Sequence, residues 1–407
     1  MKNIVRYCKA FALLVGLCFA FGVLSCLLPD KSIKRHIAES APVISDEGLY
    51  PKAIINKEQC QMDNFTDALI MNQIYSIDRK QPVKSAMRMV RMSEKGNDWD
   101  QTGLLLRIVN GEPLEEQHYA RYWHGSTFLY RLLFLMMDYT TMKLILFIVS
   151  SILLLALVLT YYQKAGWAKT LALSLGFLLT YGFVTQFSLQ FFPILALTAV
   201  ASLFVVNRFK PIDAGMLFFI VGSLACYFDL LTTPLLTLGI PLAVMVSLKC
   251  DDGLQLKDNL IEISKITLLW GLGFALAFFM KWALATFILG QNIFADAFEV
   301  GLYRMEADEF TRWDAVGKNF EMLNWGIVGI IAAAFVIINL LKHNSFNYKK
   351  AILLLFVALA PYAWYFLLSN HSYQHWWFTY RLQAISVVCL FLTIAEGQNT
   401  SAKSMKK

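Results

Sequence analysis

Apolar stretches of about 18 or more residues with hardly a charge recur along this 407-residue chain. That is the length needed to cross a hydrocarbon core of ~30 Å. Ten such spans are expected, at 9–29, 141–162, 169–187, 191–207, 213–231, 233–248, 265–289, 324–341, 351–369 and 379–395. Composition agrees: 57% of residues are apolar, only 16% are charged, and the mean hydropathy is +0.52. A soluble domain of ordinary make-up is thereby excluded. The expected fold is an all-α polytopic membrane protein, read as one membrane domain over 1–407. Lys2, Arg6 and Lys9 precede the first apolar run as in a signal peptide. The run continues for about 20 residues, however, and Leu27-Leu28-Pro29 offers no small-residue cleavage site. It is expected to stay as an anchor.

Orientation follows from Lys and Arg in the short connections. With the N-terminus in the cytoplasm, one side receives Lys2, Arg6, Lys9, Lys164, Lys169, Arg208, Lys210, Lys249, Lys257, Lys265, Lys342, Lys349, Lys350, Lys403, Lys406 and Lys407. The opposite connections at 188–190 and around 232 carry none, and the one near 370 has only Arg381 at its margin. An even span count returns the basic tail 396–407 to the cytoplasm. The net charge of +7 is therefore a topology signal and not an argument for nucleic acid. Cys8, Cys18, Cys26, Cys226, Cys250 and Cys389 lie in or beside spans and only Cys60 lies clearly outside, so neither a disulfide framework nor a metal spacing emerges.

Two outer segments are large, 30–140 and 290–323. In 63–77, Phe65, Leu69, Ile70 and Ile74 give helical periodicity, with Asp63 as N-cap and Asp67 one turn in. A second helix is expected over about 82–94, with Lys84, Arg88, Arg91 and Lys95 set against Val83, Met87, Val90 and Met92. Residues 126–137 are apolar but too short to span, which suits a helix lying in the interface plane. No internal repeat emerges, which argues against transporter designs built from repeated halves.

Chemically capable side chains gather at the outer ends of spans. Asp63 and Asp67 sit four apart, so a helix turns both carboxylates to one face. One carboxylate can deprotonate an acceptor hydroxyl, and a second can raise its pKa, hold a cation or orient a sugar. The structural alternative is a plain helix cap with Asp67 facing water. Asp46 and Glu47 form a rival acidic pair upstream. In Arg121-Tyr122-Trp123-His124-Gly125, Arg121 suits phosphate and His124 can relay a proton, whereas an aromatic belt with a snorkelling arginine explains the same residues without function. The densest group runs from His371 to Arg381. There His371 and His375 lie four apart, Tyr380 adds a hydroxyl, and Arg381 opens a membrane span where charge is costly unless paired. Asp229 and Lys281 each lie about 17 residues into a span, ~25 Å above its cytoplasmic edge. They read either as functional groups or as a pair joining helices. Arg304, Glu306, Asp308, Glu309, Arg312 and Asp314 form a mixed run of the kind usually found on solvated surfaces.

Many spans, a first outer loop with membrane-parallel helices and an acidic start to that loop resemble the GT-C superfamily of integral-membrane glycosyltransferases. Asp63-Asn64-Phe65-Thr66-Asp67-Ala68 is similar to the acidic opening of that loop in lipid A aminoarabinose transferases and protein mannosyltransferases. Asn64 stands where those relatives often place a second acid. The likeness covers the first loop and the architecture and fades after residue 165. It implies transfer of a sugar from a polyprenyl-phosphate carrier to a cell-envelope glycan, lipid or protein at the outer face of a bacterial cytoplasmic membrane. Asp63 would be the catalytic carboxylate with Asp67 beside it. Arg121, His124, His371, His375, Tyr380, Arg381 and Lys281 would serve the donor phosphate, and a divalent cation (Mg or Mn) is left open. The competing classes are a transporter or flippase of an envelope glycolipid and a glycan polymerase or ligase. The former predicts charges at mid-depth, and the latter a large late loop rich in arginine and histidine.

Overall fold

The computed structural model describes residues 2–96, 99–207, 213–249, 255–341 and 346–395. The tail 396–407, with Lys403, Lys406 and Lys407, lies outside them, as do Arg208, Lys210, Cys250 and Lys342. The chain is helical almost throughout. It opens with α1 (Lys2–Leu27) and α2 (Asp30–Glu47), then α3 (Asn64–Tyr75), α4 (Pro82–Arg88), α5 (Gln101–Val109) and α6 (Ser126–Phe134). Strands β1 (Arg91–Ser93) and β2 (Glu115–Gln117) pair antiparallel inside this region. The apolar body comprises α7 (Tyr139–Ala165), α8 (Trp167–Leu179), α9 (Phe192–Asn207), α10 (Ala214–Phe228), α11 (Leu236–Ser247) and α12 (Leu256–Leu289). Helices α13 (Ile293–Met305) and α14 (Arg312–Glu321) precede α15 (Trp325–Leu341), α16 (Tyr348–Ala358) and α17 (Ala360–Leu367). Short α18 (Ser369–Gln374) and α19 (Trp376–Thr379) lead into α20 (Ala384–Ala395).

Among the described residues five helical segments are long and apolar enough to cross a membrane: Ile4–Leu27, Tyr139–Ala165, Leu256–Leu289, Tyr348–Leu367 and Trp376–Ala395. The pair α14 and α15, bent by 65°, is apolar enough to count as a sixth if it crosses as one broken span. Four of the ten expected spans are shorter apolar helices, α8, α9, α10 and α11. At 1.5 Å per residue a helix of 12 to 16 residues reaches about 18–24 Å, less than a full hydrocarbon core. The expected span 169–187, for instance, breaks after Leu179 and continues as a 3₁₀ turn over Gly182–Phe187.

Where helices cross closely, glycine permits it. A Cβ on Gly222 of α10 would lie 2.1 Å from the Trp270 carbonyl oxygen, and one on Gly273 of α12 would lie 2.2 Å from that of Phe219. The two backbones touch, as small residues allow between membrane helices. Gly222→Val is therefore expected to force α10 and α12 apart at a cost of about 3 kcal/mol. Thermal unfolding in detergent checks this, and an unchanged midpoint would refute the close crossing.

The region 30–138 folds as a cap over one end of the bundle. Ile33 and Ile37 of α2, Met71 of α3, Leu105 of α5 and Phe134 of α6 share a core with Met142 and Leu146 of α7. Within it Arg131 is fully buried and bonded at 2.7 Å to Asp30, with further donations to the carbonyls of Ile74 and Leu28. The segment expected to lie in the interface plane turns one face, with Tyr130, Arg131 and Phe134, into this core and leaves Met136 exposed. The expected helix 82–94 stops at Arg88, because Met89 takes a left-handed conformation and residues 91–93 pair with β2. The second loop joins the same face, where Arg121 meets Asp296 at 3.3 Å.

Candidate functional site

Asp63 caps α3 as its position suggests, with Oδ1 accepting from the Thr66 amide at 3.0 Å. It is only 1% exposed, and its second oxygen, Oδ2, is buried without a hydrogen-bond partner. Burial pushes its pKa up to about 7; Thr66 opposes this and the neighbouring Asp67 adds to it. Asp67 is equally buried but saturated. Its carboxylate accepts from the Tyr139 hydroxyl at 2.9 Å, the Ser188 hydroxyl at 2.9 Å and the amides of Leu189 and Gln190 at 3.0 and 3.1 Å. Burial still dominates and lifts its pKa to about 6. The two aspartates expected to act together therefore divide: Asp67 fixes the fold, and Asp63 keeps a free oxygen.

The segment 188–191 that Asp67 holds is the hub of the site. The Gln190 side-chain amide reaches Asp229 and Thr232, each at 3.4 Å. Asp229 is 1% exposed and takes the Thr232 amide at 3.0 Å and its hydroxyl, leaving Oδ2 unpartnered. The next residue, Phe191, lies under the Arg381 guanidinium, 5.2 Å from its ring centroid. Arg381 is 1% exposed and donates to the carbonyls of Gln61 at 2.8 Å and Gln59 at 3.3 Å, while its Nε and Nη1 have no partner. Tyr380 adds bonds to the carbonyls of Gln59 and Thr180. Residues 380–381 thus staple the last apolar helix to the chain just before Asp63, and the Arg381 charge acts on the Asp63 carboxyl. Tyr50 stacks parallel to Phe65 and sets its edge against Trp377 at 5.0 Å, forming an aromatic wall beside Asp63.

An apolar cavity of about 290 Å³ runs from Arg381 between α7, α8, α9, α11 and α20. Leu154, Phe177, Leu195, Ile240 and Val388 line it, and Arg381 stands in the 3₁₀ turn Tyr380–Gln383 that leads into α20, where Ala384 and Val388 continue the lining. Arg381 thus sets a buried guanidinium in the wall of a hydrocarbon-lined slot, a combination that suits a phosphate carrying a long apolar tail.

The remaining expected residues lie elsewhere or serve structure. Asp229 and Lys281 do not pair. Lys281 is fully buried and donates to the carbonyls of Met87 at 2.9 Å and Ala86 at 3.4 Å, closing the end of α4. Equal depth in the bundle did not mean the same side of it. His124 bonds the Tyr119 carbonyl at 3.0 Å, and burial drops its pKa to about 3, so it stays neutral. Arg121 packs over Tyr119 and pairs with Asp296, away from Asp63. His371 gives its Nε2 to the Leu231 carbonyl at 2.7 Å and holds the loop after Asp229 in place. His375 stacks on Phe378, and burial lowers its pKa to about 4. Glu47 is committed to Lys143 at 3.0 Å and to Asn64, and Asp46 is exposed. Gln190, Tyr50 and Phe191 are not legible as site residues in the sequence, where the signal is a glutamine inside an apolar run. Among the described residues no three His, Cys, Asp or Glu side chains converge as metal ligands.

No protein-family model, curated protein or solved structure matches this chain.

Proposed function

We propose that the chain is a GT-C-like glycosyltransferase that moves a sugar from a polyprenyl-phosphate carrier to a cell-envelope acceptor. The observation that carries this reading is the conjunction at one buried site. Asp63 keeps an unpartnered carboxylate oxygen, and Arg381, with two unpartnered nitrogens, heads an apolar cavity. In the proposed reaction the Asp63 carboxylate takes the proton of the acceptor hydroxyl. The acceptor oxygen bonds the anomeric carbon as the bond from that carbon to the phosphate oxygen breaks. The electron pair leaves with the phosphate, whose charge Arg381 meets, and the configuration inverts. Tyr50 and Trp377 offer ring faces to the sugar. The site is proposed to face away from the cytoplasm, with both termini inside. A divalent cation does not fit the donor set, since Asp67 is saturated, Asp63 and Asp229 each offer one free oxygen, and no three His, Cys, Asp or Glu side chains converge among the described residues, so no step runs through one.

The direct test measures transfer of a radiolabelled lipid-linked sugar pool to envelope acceptors, in membranes with and without the chain. Transfer that depends on the chain is the expected result. Absence of transfer from every carrier pool would overturn the reading and bring lipid transport forward. The pH profile gives a second check. A base whose pKa is raised to about 7 is protonated, and idle, below that value. The rate at low substrate is expected to rise about tenfold per pH unit up to pH 7 and then level off. A flat profile between pH 5 and 8 would remove Asp63 as the base.

A further inference from the structure

A second cavity, of about 370 Å³, opens between α12, α13 and α17. Phe278, Trp282, Val300, Trp364 and Leu367 make its wall apolar, and two arginines, Arg121 and Arg304, stand at it. It is distinct from the cavity below Arg381: the turn after Asp229 separates them, with Leu231 lining the second and Thr233 the first.

The charges at this cavity do not cancel. Arg121 is answered by Asp296, both of whose carboxylate oxygens lie 3.3 Å from Nη1. Arg304 lies against the Tyr122 ring at 5.6 Å and has no carboxylate within ion-pair distance among the described residues. One positive charge is therefore left at the end of a hydrocarbon-lined space. A phosphomonoester carries about −1.5 to −2 at neutral pH and overcompensates that charge. A phosphodiester carries a single negative charge and balances it. Two arginines at one cavity, each within about 6 Å of the Tyr122 ring centre, also supply the planar donor forks that phosphate oxygens take well.

We propose that this cavity is a second lipid site, which holds an anionic phospholipid with its phosphodiester between Arg304 and Arg121 and its acyl chains along α12 and α17. The site stands whether or not the chain transfers sugars, because it uses neither Asp63 nor Arg381.

The test is binding of phosphatidylglycerol to the full-length chain in mild detergent, read by native mass spectrometry, for the native protein and for Arg304→Gln, Gly301→Phe and Arg381→Gln. Gly301 lines the cavity, and a Cβ there meets nothing within 4 Å, so the phenylalanine fills the lipid space without colliding at its root. Affinity is expected to fall at least tenfold in Arg304→Gln and in Gly301→Phe and to hold in Arg381→Gln. Should Arg304→Gln fail to fold, Gly301→Phe carries the test alone. Unchanged binding in Gly301→Phe overturns the proposal. Parallel loss in Arg381→Gln does so as well, since the lipid would then sit in the first cavity.

Discussion

Asp67→Ala is expected to cost roughly 4 kcal/mol of stability at pH 5, because it strands two buried backbone N–H groups and two hydroxyls that share one carboxyl. The hydroxyls of Tyr139 and Ser188 can turn elsewhere, but the amides of Leu189 and Gln190 cannot. Asp67→Asn keeps one acceptor oxygen and is expected to lose about half as much. The pH dependence has a fixed sign. The folded pKa of about 6 lies above the ordinary carboxylate value, so the stability this group contributes is fully present below about pH 4 and is lost as pH rises through 6. The gap between native protein and Asp67→Ala therefore narrows from pH 5 to pH 7. Unfolding midpoints at the two pH values measure it. A gap that widens, or an alanine variant as stable as native at pH 5, would mean that the 188–190 segment holds its place without Asp67.

This variant also marks where sequence stopped informing structure. Asp63 was legible as a cap because a cap is local: a residue, a three-residue offset and an apolar periodicity. The partners of Asp67 were not, since two are backbone amides more than 120 positions away, and backbone donors leave no trace in residue type. Asp229 and Lys281 looked like a pair because depth along a helix can be counted, whereas direction around it depends on packing. Arg131 sits in a run that reads as an interfacial helix, yet its charge turns inward to Asp30, and only the fold of α2 against α6 could show it. Periodicity alone carries α4 too far for the same reason, its end being set by pairing of β1 with the strand Glu115–Gln117. Arg381 was the opposite case. A charge at the mouth of an apolar span demanded a partner, and it found two carbonyls beside Asp63.

Asp63→Asn is expected to lower sugar transfer by about 10²- to 10⁴-fold, the range a general base supplies, while leaving the protein at least as stable as native. Asparagine is as good an N-cap as aspartate, so the bond from the Thr66 amide survives. It also removes a carboxyl whose folded pKa of about 7 exceeds its ordinary value. By linkage Asp63 makes the native protein lose stability as pH rises from about 4 through 7, and the asparagine variant lacks that contribution. At pH 8 the variant should therefore unfold no earlier than native, which separates loss of chemistry from loss of fold. Label transfer and the unfolding midpoint are read on the same preparation. If transfer persists within about twofold, Asp63 is a cap and nothing more. The search for a base then moves to Glu47, which touches the same helix through Asn64 but is neutralised by Lys143. If transfer and stability fall together, the cap matters more than the base. Only a silent but well-folded Asp63→Asn protein fits a carboxylate held buried, half-bonded and near neutrality for use.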